Sequence, residues 1–380
     1  MLRKMILSNT LSAKLSEISQ KCIKCELCVK ECAFLRRYGK PKDIADQYDS
    51  GEQINRLMAF ECSLCQLCTA VCPVGINPSG MFLEMRCDAI TRGDSDFDKY
   101  KHILTYEMRG ISKRYTWYGL PEKCDTVFFP GCALPGTRPD KTIAVFELMQ
   151  KKISSLGIVL DCCTNISHDL GRKEFFLSAF GEMKQFLIQN GVKTVIAACP
   201  TCYKIFDQYG ESINVKSIYE FIADQKIRKI NNEAQTVTIH DPCALRFNGH
   251  IQDDVRRIVS NLGLAINEMP RIREKTLCCG GGGSVKYLSC YLSEKWADVI
   301  KQEQSGNRVI TYCAGCASSL GKSMPVSHII DLFFDTNATL AGKIKVYKSP
   351  MTYLNRINLK RRLKKILKTV VSYERAERPF

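Results

Sequence analysis

The sequence predicts an α+β protein of several domains: a mainly α-helical N-terminal region, two duplicated α/β units and a basic C-terminal helix. Two four-cysteine runs fall within the first 90 residues, and short β-branched runs ending in cysteine form two matching series between residues 124 and 340. A Lys/Arg-rich amphipathic stretch follows them. A chain of 380 residues with 45% hydrophobic residues is long enough for two or three cores.

Cysteine usage indicates bound metal rather than disulfides. The chain contains 21 cysteines, an odd number, and its first residues show no apolar segment followed by a small-residue cleavage site. We therefore expect reduced thiols and a cytoplasmic protein. The apolar runs fall short of the roughly 20 residues that a membrane-spanning helix needs. Membrane contact is therefore expected only through a partner or peripherally, at the inner face of the cell membrane.

The N-terminal cysteines form two C-x2-C-x2-C-x3-C runs, of which the second is followed by Pro73 and the first by Ala33. A three-cysteine loop wraps three corners of a cubic cluster, and in the two-cluster ferredoxin pattern the fourth cysteine of each run ligates the other cluster. The expected ligands of two [4Fe-4S] clusters are Cys22, Cys25, Cys28 and Cys72 for one, and Cys62, Cys65, Cys68 and Cys32 for the other. The alternatives are zinc, although it usually takes two C-x2-C pairs, and free buried cysteines.

Ten further cysteines occur as two series, each made of a single cysteine, an adjacent pair and a C-x2-C. The first series is Cys132, Cys162, Cys163, Cys199 and Cys202, and the second is Cys243, Cys278, Cys279, Cys313 and Cys316. Each motif ends a short apolar run, and amphipathic segments lie between them, at 141–153, 173–189, 255–262 and 285–302. Strands alternating with helices predict parallel sheets, whose ligands collect at the carboxyl ends of the strands.

The motifs FFPGC, HDPC, LCCGGGG and TYCAGC resemble the paired CCG cysteine-rich domains of heterodisulfide reductase subunits and of the iron-sulfur subunits of glycolate oxidase and anaerobic glycerol-3-phosphate dehydrogenase. The resemblance covers about residues 20–335 and implies an iron-sulfur oxidoreductase that exchanges electrons with a flavoprotein, a quinone or a disulfide. The domains that it implies are a two-cluster ferredoxin-type domain at 1–90, a connector at 91–123, CCG domains at 124–230 and 231–340, and a tail at 341–380.

In heterodisulfide reductases the five cysteines of a CCG domain hold a non-cubane [4Fe-4S] cluster at which the disulfide is cleaved. The resemblance thus implies one or two further iron-sulfur clusters here, with zinc or a simpler four-ligand cluster as the alternative. The second series is expected to be the catalytic one, because Gly280 to Gly283 follow its cysteine pair and let backbone approach a cluster closely. The first series has Thr164 in place of the glycine.

A few polar residues lie close to these motifs. His240 is a candidate for a hydrogen bond to a cluster or for proton transfer, with a strand-end cap as the alternative. Arg271 and Arg273 either steer an anionic substrate or belong to solvated surface. Cysteines to which we assign no function are Cys87, Cys124 and Cys290.

The C-terminal segment carries most of the positive charge. The net charge is +16, and residues 343–380 contain twelve Lys/Arg and two acidic residues. An apolar stripe runs through it, formed by Leu359, Leu363, Ile366, Leu367 and Val370. Such a helix either contacts a membrane or partner through residues 354–371, or packs on the body with a solvated basic face. We expect no nucleic acid partner, since no recognition motif accompanies the charge.

We favour an electron-transferring iron-sulfur subunit that relays electrons through two [4Fe-4S] clusters between a flavoprotein dehydrogenase and a CCG-site cluster or quinone. The chain shows no nucleotide-binding glycine fingerprint, so the flavin is expected on a partner, and a membrane cytochrome is a further expected partner. One alternative is a catalytic disulfide reductase acting at the second series. Another is a zinc-containing redox scaffold or sensor.

Overall fold

The computed structural model describes residues 7–48, 52–94, 97–225 and 235–377. The N-terminal cysteines are surrounded by short helices of one or two turns. The longer α1 and α7 pack across them. The helices are α1 Asn9–Lys21, α2 Leu27–Glu31, α3 Ala33–Tyr38, α4 Pro41–Gln47, α5 Gln53–Met58, α6 Leu67–Ala70, α7 Pro78–Thr91 and α8 Lys101–Gly110.

The first α/β unit is built on a six-stranded sheet. Its strands up to residue 225 are β1 Trp117–Leu120, β2 Thr126–Phe129, β3 Gly157–Leu160, β4 Thr194–Ala197 and β5 Asn214–Ser217. Its helices are α9 Ala133–Thr137, α10 Pro139–Gln150, α11 Asn165–Asp169, α12 Lys173–Gln189, α13 Pro200–Tyr209 and α14 Ile218–Ala223. Strands β2 to β5 are mutually parallel, whereas β1 pairs antiparallel with β3.

The second unit has a four-stranded parallel sheet. The strands are β6 Thr236–His240, β7 Ala265–Ile266, β8 Arg308–Thr311 and β9 Val326–His328. The helices are α15 Gly249–Asn261, α16 Cys290–Glu303, α17 Ala314–Leu320, α18 Ile329–Phe334 and α19 Thr336–Leu340. The predicted boundary between the two units, at residues 230 and 231, lies outside the described residues.

The strand orders of the two units match. The order β3-β2-β4-β5 in the first corresponds to β7-β6-β8-β9 in the second. In the first unit, cysteines follow β2, β3 and β4 within a few residues, as predicted for the ends of parallel strands. The second unit differs at one place, because β7 ends at Ile266 and a long loop leads to Cys278. The prediction of a strand directly before Cys278 was therefore wrong.

The C-terminal segment packs on the first unit. It forms α20 Met351–Ile366 and β10 Val371–Tyr373, which pairs antiparallel with β1 at the edge of the first sheet. Leu359, Leu363 and Leu367 are buried against α9 and α10. Val370 was wrongly placed in the helical stripe, since the helix ends at Ile366 and both side chains are exposed.

The buried side of α20 also includes charge. The predicted fully solvated basic face is wrong for Lys360, which is 8% exposed and forms an ion pair of 2.8 Å with Glu374. Its ammonium group also donates to the Lys113 carbonyl. The segment is therefore an integral part of the first unit.

One hydrophobic core runs between the two units. It joins strand residues of the first sheet, such as Phe128, with Ile239 and Ile310 of the second sheet. A second core joins the N-terminal helices to Val285 and Trp296 of the second unit. Within the described ranges, no helix has the length and apolarity needed to cross a membrane.

Candidate functional site

The N-terminal cysteines lie in two groups of four, each drawing on both runs. One group, the surface thiol group, consists of Cys22, Cys25, Cys28 and Cys72, since the first, second and fourth of these all act electrostatically on Cys28. The other, the interior thiol group, consists of Cys32, Cys62, Cys65 and Cys68. The structure thus brings together the crossed sets expected from the sequence.

The two three-cysteine loops share a backbone conformation that depends on left-handed residues. In the first loop Lys24 and Glu26 have φ of 56° and 67°, and in the second Leu64 and Gln66 have φ of 52° and 61°. These residues flank the middle cysteine of each loop. Left-handed backbone is unfavourable for residues with a side chain and is retained where the surrounding structure requires it. In each loop this conformation curves the backbone and so brings the three cysteines of the run close together.

The two groups differ in depth. Cys25 is exposed and the rest of the surface thiol group is partly exposed, whereas Cys62 and Cys68 of the interior group are buried. Burial raises the pKa of Cys28 to about 11 and that of Cys32 to about 12. Four thiols packed this closely are a suitable donor set for an iron-sulfur cluster, which takes them as thiolates.

The second cysteine site contains all five cysteines of the second series: Cys243, Cys278, Cys279, Cys313 and Cys316. Hydrogen bonds from the Cys243 and Cys279 thiols lower the pKa of Cys278, and the backbone N–H groups of Gly280 and Gly282 act in the same direction. A Cβ on Gly282 would lie 3.2 Å from the Cys278 sulfur and 2.6 Å from the Ser63 carbonyl oxygen. Glycine is therefore needed here for close packing against both the site and the N-terminal region.

A cavity of about 490 Å³ opens beside the second cysteine site. It lies between the two units and the N-terminal region. Its walls include Cys243, Cys279, Cys313 and Cys316 from the second unit, Asn165, Asp169, Lys204 and Asp207 from the first, and Ser63 and Leu64 from the N-terminal region. Among the described residues, no cysteine of the first series lines it. A molecule in this cavity would meet the second site alone.

The first cysteine site contains the five cysteines of the first series: Cys132, Cys162, Cys163, Cys199 and Cys202. The sulfurs of Cys163 and Cys202 are 3.4 Å apart. A hydrogen bond from the Cys162 thiol lowers the pKa of Cys132 to about 6, and Arg356 and Tyr106 contribute in the same direction. Tyr106 belongs to α8, and Arg356 belongs to α20 in the C-terminal segment.

Helix α8 covers the cysteine pair of this site, whereas Cys132 and Cys199 remain partly exposed. A Cβ on Gly110 would lie 3.0 Å from the Cys162 Cβ, so the helix backbone rests directly on the cysteine pair. Ile111, at the end of α8, is fully buried against Cys162. Thr164, which follows the pair, has φ of 52° and so keeps the left-handed conformation that Gly280 adopts, with φ of 82°, at the second site. The threonine changes the side chain without changing the backbone path.

Tyr219 joins the two cysteine sites. Its hydroxyl oxygen lies 2.7 Å from the carbonyl oxygen of Tyr312 and 3.1 Å from that of Ala198. These two residues immediately precede Cys313 and Cys199, the first cysteine of each C-x2-C. A buried ion pair of 2.7 Å between Arg138 and Asp331 also crosses from one unit to the other. The two sites are therefore held in a fixed mutual position.

Two buried arginines hold the interior thiol group against the second cysteine site. Arg86 of α7 is fully buried and donates to backbone carbonyls of Cys62, of Asp169 and, at 3.0 Å, of Gly283. It therefore joins the N-terminal region to both units.

Arg246 makes the corresponding contact from the second unit, and the contacts of Arg86 and Arg246 together form the seam between the N-terminal region and that unit. It is 1% exposed and donates to the carbonyls of Cys65 and Thr276, each at 2.8 Å. Sequence reasoning missed both arginines. For Arg86 a signal exists, since it lies four residues after Phe82 and three before Ala89 on the buried face of α7.

His240 is the last residue of β6. It is 1% exposed, burial lowers its pKa, and its Nε2 lies 3.2 Å from the Leu277 carbonyl oxygen. This contact holds the loop before Cys278, while Nδ1 is buried without a hydrogen-bond partner in the described residues. The neighbouring Asp241 accepts hydrogen bonds from Arg256 and from the Tyr312 hydroxyl, at 2.9 Å from the latter.

The predicted substrate-steering arginines do not line the large cavity. Arg271 forms an ion pair of 2.9 Å with Glu31, and Arg273 one of 2.6 Å with Asp253. Of the cysteines left without a function, Cys87 is half-buried, Cys124 is buried and Cys290 is exposed.

The donor sets of this chain fit iron-sulfur clusters. Four soft thiol donors converge in each N-terminal group, and five in each cysteine site, where glycines keep the backbone close to sulfur. A Cβ on Gly131 would lie 3.3 Å from the Cys202 sulfur, and one on Gly315 would lie 3.5 Å from the Cys313 sulfur. In the part of the chain that the structure describes, no three Cys, His, Asp or Glu side chains form a group that would hold a single metal ion.

Comparison with protein families agrees with this arrangement. The family described as a 4Fe-4S dicluster domain matches residues 18–76, and the family described as a cysteine-rich domain, CCG, matches residues 126–207 and 237–321. The chain belongs to the CCG-domain family of iron-sulfur oxidoreductases.

Particular relatives are oxidoreductases or parts of them. The chain is 26% identical to one subunit of the fumarate reductase (CoM/CoB) of Methanothermobacter marburgensis, over 80% of this chain and 68% of the relative. It is 28% identical to one subunit of the dihydromethanophenazine:CoB--CoM heterodisulfide reductase of Methanosarcina mazei, over 59% of this chain and 62% of the relative. It is also 22% identical to EtfAB:quinone oxidoreductase of Syntrophomonas wolfei, over 60% of this chain and 37% of the relative.

Proposed function

We propose that this chain is the electron-transferring iron-sulfur subunit of an oxidoreductase. Electrons pass between the surface thiol group and the second cysteine site by way of the interior thiol group. The observation that carries the proposal is the seam at Arg86 and Arg246, which holds the carbonyls of Cys62 and Cys65 against the second unit. Because electron transfer slows steeply with distance, a rigid contact at this seam favours transfer.

The proposed cofactors follow from the thiol groups. Each N-terminal group of four ligates one [4Fe-4S] cluster, with three cysteines from one run and the fourth from the other. The two cysteine sites each hold a further iron-sulfur cluster. With five thiols, either site has one donor more than a cubane needs, which suits an irregular cluster or a labile ligand. The clusters supply one-electron chemistry, and the chain supplies their spacing and burial.

The proposed donor is a flavoprotein that docks at the surface thiol group. Cys25 is exposed there, and the apolar side chains of Ile23 and Leu27 beside it are 62% and 43% exposed. The relative named EtfAB:quinone oxidoreductase carries a quinone in its own name. A quinone or a membrane cytochrome is the proposed further partner.

Reduction of a disulfide at the second cysteine site is the second candidate function. It is favoured by the cavity of about 490 Å³, whose wall contains four of the five cysteines of that site. The reaction consumes two electrons and two protons for each disulfide and releases two thiols. Clusters held by the N-terminal thiol groups would deliver the electrons one at a time. The cavity wall carries Lys204 and Lys286 together with Asp169 and Asp207, so its charge does not by itself select an anionic disulfide.

Anaerobic purification followed by iron, sulfide and zinc counts and by EPR spectroscopy tests the proposal. We expect iron and sulfide in the amounts required by two cubane clusters plus the cysteine sites. Dithionite is expected to produce the spectrum of two interacting reduced clusters. Stoichiometric zinc with iron only in the N-terminal region would instead support a zinc scaffold or sensor.

Two further measurements separate the candidates. A tagged chain purified anaerobically from its own cells should bring down a protein whose flavin is reduced and reoxidised together with the clusters. Disulfide reductase activity is tested with reduced methyl viologen and a low-molecular-weight disulfide. Oxidation of the viologen, together with a new paramagnetic signal on adding thiol and oxidant, supports disulfide reduction. Absence of both restricts the chain to electron relay.

A further inference from the structure

The C-terminal segment has no role in the proposed electron path, although it is folded onto the first cysteine site. Helix α20 lies on α9, the helix that begins directly after Cys132, and β10 extends the first sheet beside β1. Two arginines of this segment, Arg356 and Arg375, are among the most buried charged residues of the chain, with exposures of 5% and 1%.

Arg356 is a buried cation with no carboxylate partner in the described residues. Its guanidinium lies over the rings of Tyr115 and Tyr106, at 4.8 Å and 5.8 Å from their centroids. Its Nη1 atom is buried without a hydrogen-bond partner. Burying an uncompensated charge costs several kcal/mol, so such a group indicates a nearby anion.

The first cysteine site lies beside the Arg356 guanidinium. Arg356 Nη2 lies 3.8 Å from the position of a Cβ on Gly110, and the Cys162 sulfur lies 3.6 Å from the same position. Because residue 110 is glycine, no side chain separates the guanidinium from the cysteine pair. Tyr106, beneath the guanidinium, forms a hydrogen bond with the Cys132 thiol.

Arg375 reaches the same site through a carboxylate. Its Nε donates to Asp161 Oδ2 at 2.7 Å, and Asp161 Oδ1 accepts from the Cys162 backbone N–H at 2.7 Å. Asp161 is 1% exposed, and Arg375 also donates to the Ala179 carbonyl at 2.9 Å. The contact fixes the backbone at the start of the cysteine pair.

We propose that residues 351–375 complete the first cysteine site, with Arg356 as the countercharge of the anionic, thiolate-bound metal centre and Arg375 positioning Cys162 through Asp161. This inference goes beyond the proposed function, which concerns the N-terminal thiol groups and the second cysteine site. The C-terminal segment is accordingly coupled to metal occupancy of the first site: the bound centre holds the segment in place, and the segment retains the centre.

Substitution of Arg356 in the full-length chain tests the countercharge. Arg356→Gln removes the charge at similar size, and Arg356→Lys keeps it. Arg362→Gln, on the exposed side of the same helix, is the matched control. We expect Arg356→Gln to lose the iron of one site, or to shift one centre to a lower midpoint potential, since the reduced form carries more negative charge. Arg356→Lys should recover most of the difference, and Arg362→Gln should match the native chain.

Two outcomes would overturn the countercharge role. One is an Arg356→Gln chain with native iron content and unshifted potentials. The other is an equal change in Arg362→Gln. EPR signals of the N-terminal clusters serve as the folding check, because they arise far from α20 and persist if the loss is confined to one site.

Hydrogen exchange tests the coupling in a second way. Cys202→Ser removes a ligand of the first site alone, and the iron count measures the loss. Amide exchange in α20 and β10 should then be faster than in the native chain, while exchange in α15, a helix of the second unit, should be unchanged. Equal acceleration in α15, or unchanged exchange in α20, would refute the coupling. Because only the first site is altered, failure of this test is distinct from failure of the proposed electron path.

Discussion

The first and second cysteine sites have the same ligand order and opposite surroundings. At the first, α8 and α20 cover the cysteine pair, and Gly110 rests directly on Cys162. At the second, four of five cysteines line a cavity of about 490 Å³. Duplication therefore preserved the ligands while segments outside the repeat changed what each site can contact. Ligand spacing alone does not distinguish a site that lines this cavity from one whose cysteine pair is covered by helices.

The two sites also differ in how negative charge is compensated. At the first site the lowered pKa of Cys132 depends on the Cys162 thiol and then on the Arg356 guanidinium. At the second site the lowered pKa of Cys278 depends on neighbouring thiols and on backbone N–H groups of the glycine loop. A fixed cation such as Arg356 suits a metal centre that no ligand approaches. Backbone N–H groups leave space beside the sulfurs, where a ligand can approach.

The largest expected effect comes from matched cysteine substitutions, Cys316→Ser at the second site, which lines the cavity, and Cys202→Ser at the first site, which does not. Cys316→Ser should lower viologen-driven disulfide reduction by more than about 100-fold, the upper range for losing a group that only supports a metal ligand. Cys202→Ser should lose iron yet retain a substantial fraction of the rate, because its site does not face the cavity. Equal loss in both variants would contradict the functional difference between the sites.

The next effect concerns the seam that joins the N-terminal region to the second site. Arg86→Met leaves buried carbonyls unpaired at Cys62, Asp169 and Gly283, and it should destabilise the fold by about 3–5 kcal/mol. Thermal unfolding measures the change, with Arg257→Met on the surface of α15 as the control. A melting temperature that falls no further in Arg86→Met than in the control would show that the seam is not held by this residue.

A smaller effect separates the two positions that follow the cysteine pairs. Gly280→Ala would place a Cβ 2.6 Å from the Ser293 carbonyl oxygen at a φ of 82°, and it should cost about 2 kcal/mol. Thr164→Gly relieves left-handed strain but removes a buried side chain, so its net change should stay within about 1 kcal/mol. The two melting temperatures, measured anaerobically, test this difference. Similar losses would mean that the sites tolerate substitution alike.

The smallest expected effect is a pH dependence of stability that originates beside the first cysteine site. Burial raises the pKa of Glu107 from 4.5 to about 7, while hydrogen bonds from Ser167 partly oppose the shift. A carboxyl with a raised folded pKa contributes stability below its unfolded pKa and loses it as the pH rises through the folded one. The melting temperature should therefore fall between about pH 4.5 and about pH 7, and less so in Glu107→Gln. Parallel pH profiles for the two proteins would exclude Glu107 as the source.

Much of the fold follows from local pattern. Residues 173–189, predicted from their amphipathic spacing, form α12 over the same range. The sequence also predicted the parallel strands of the first unit and the cysteines that follow them, because an apolar run that ends in a cysteine motif indicates the end of a strand. The same logic was wrong before Cys278, where Thr276 is held by hydrogen bonds to Asp241 and Arg246 instead of by a strand neighbour.

The C-terminal segment shows where pattern stops being informative. Its sequence is compatible with a membrane-bound helix and with a packed one, since both need an apolar stripe and a basic face. Leu359 and Leu363 are buried against α9 and α10, whereas Leu354 and Ile366 remain exposed. Arg356 and Lys360 look like surface charges in sequence and are buried in the fold, where Arg356 lies over Tyr106 and Lys360 donates to the Lys113 carbonyl, both more than 200 positions away.

The sequence by itself determined the thiol groups, their order and their duplication, because ligand spacing and strand ends are properties of short stretches of chain. Tertiary structure alone decided which segments surround each of the two duplicated sites. The cavity beside Cys279 needs walls from three regions, and the closure over Cys162 needs α8 and α20. Such contacts join residues distant in the chain, and no local periodicity records them.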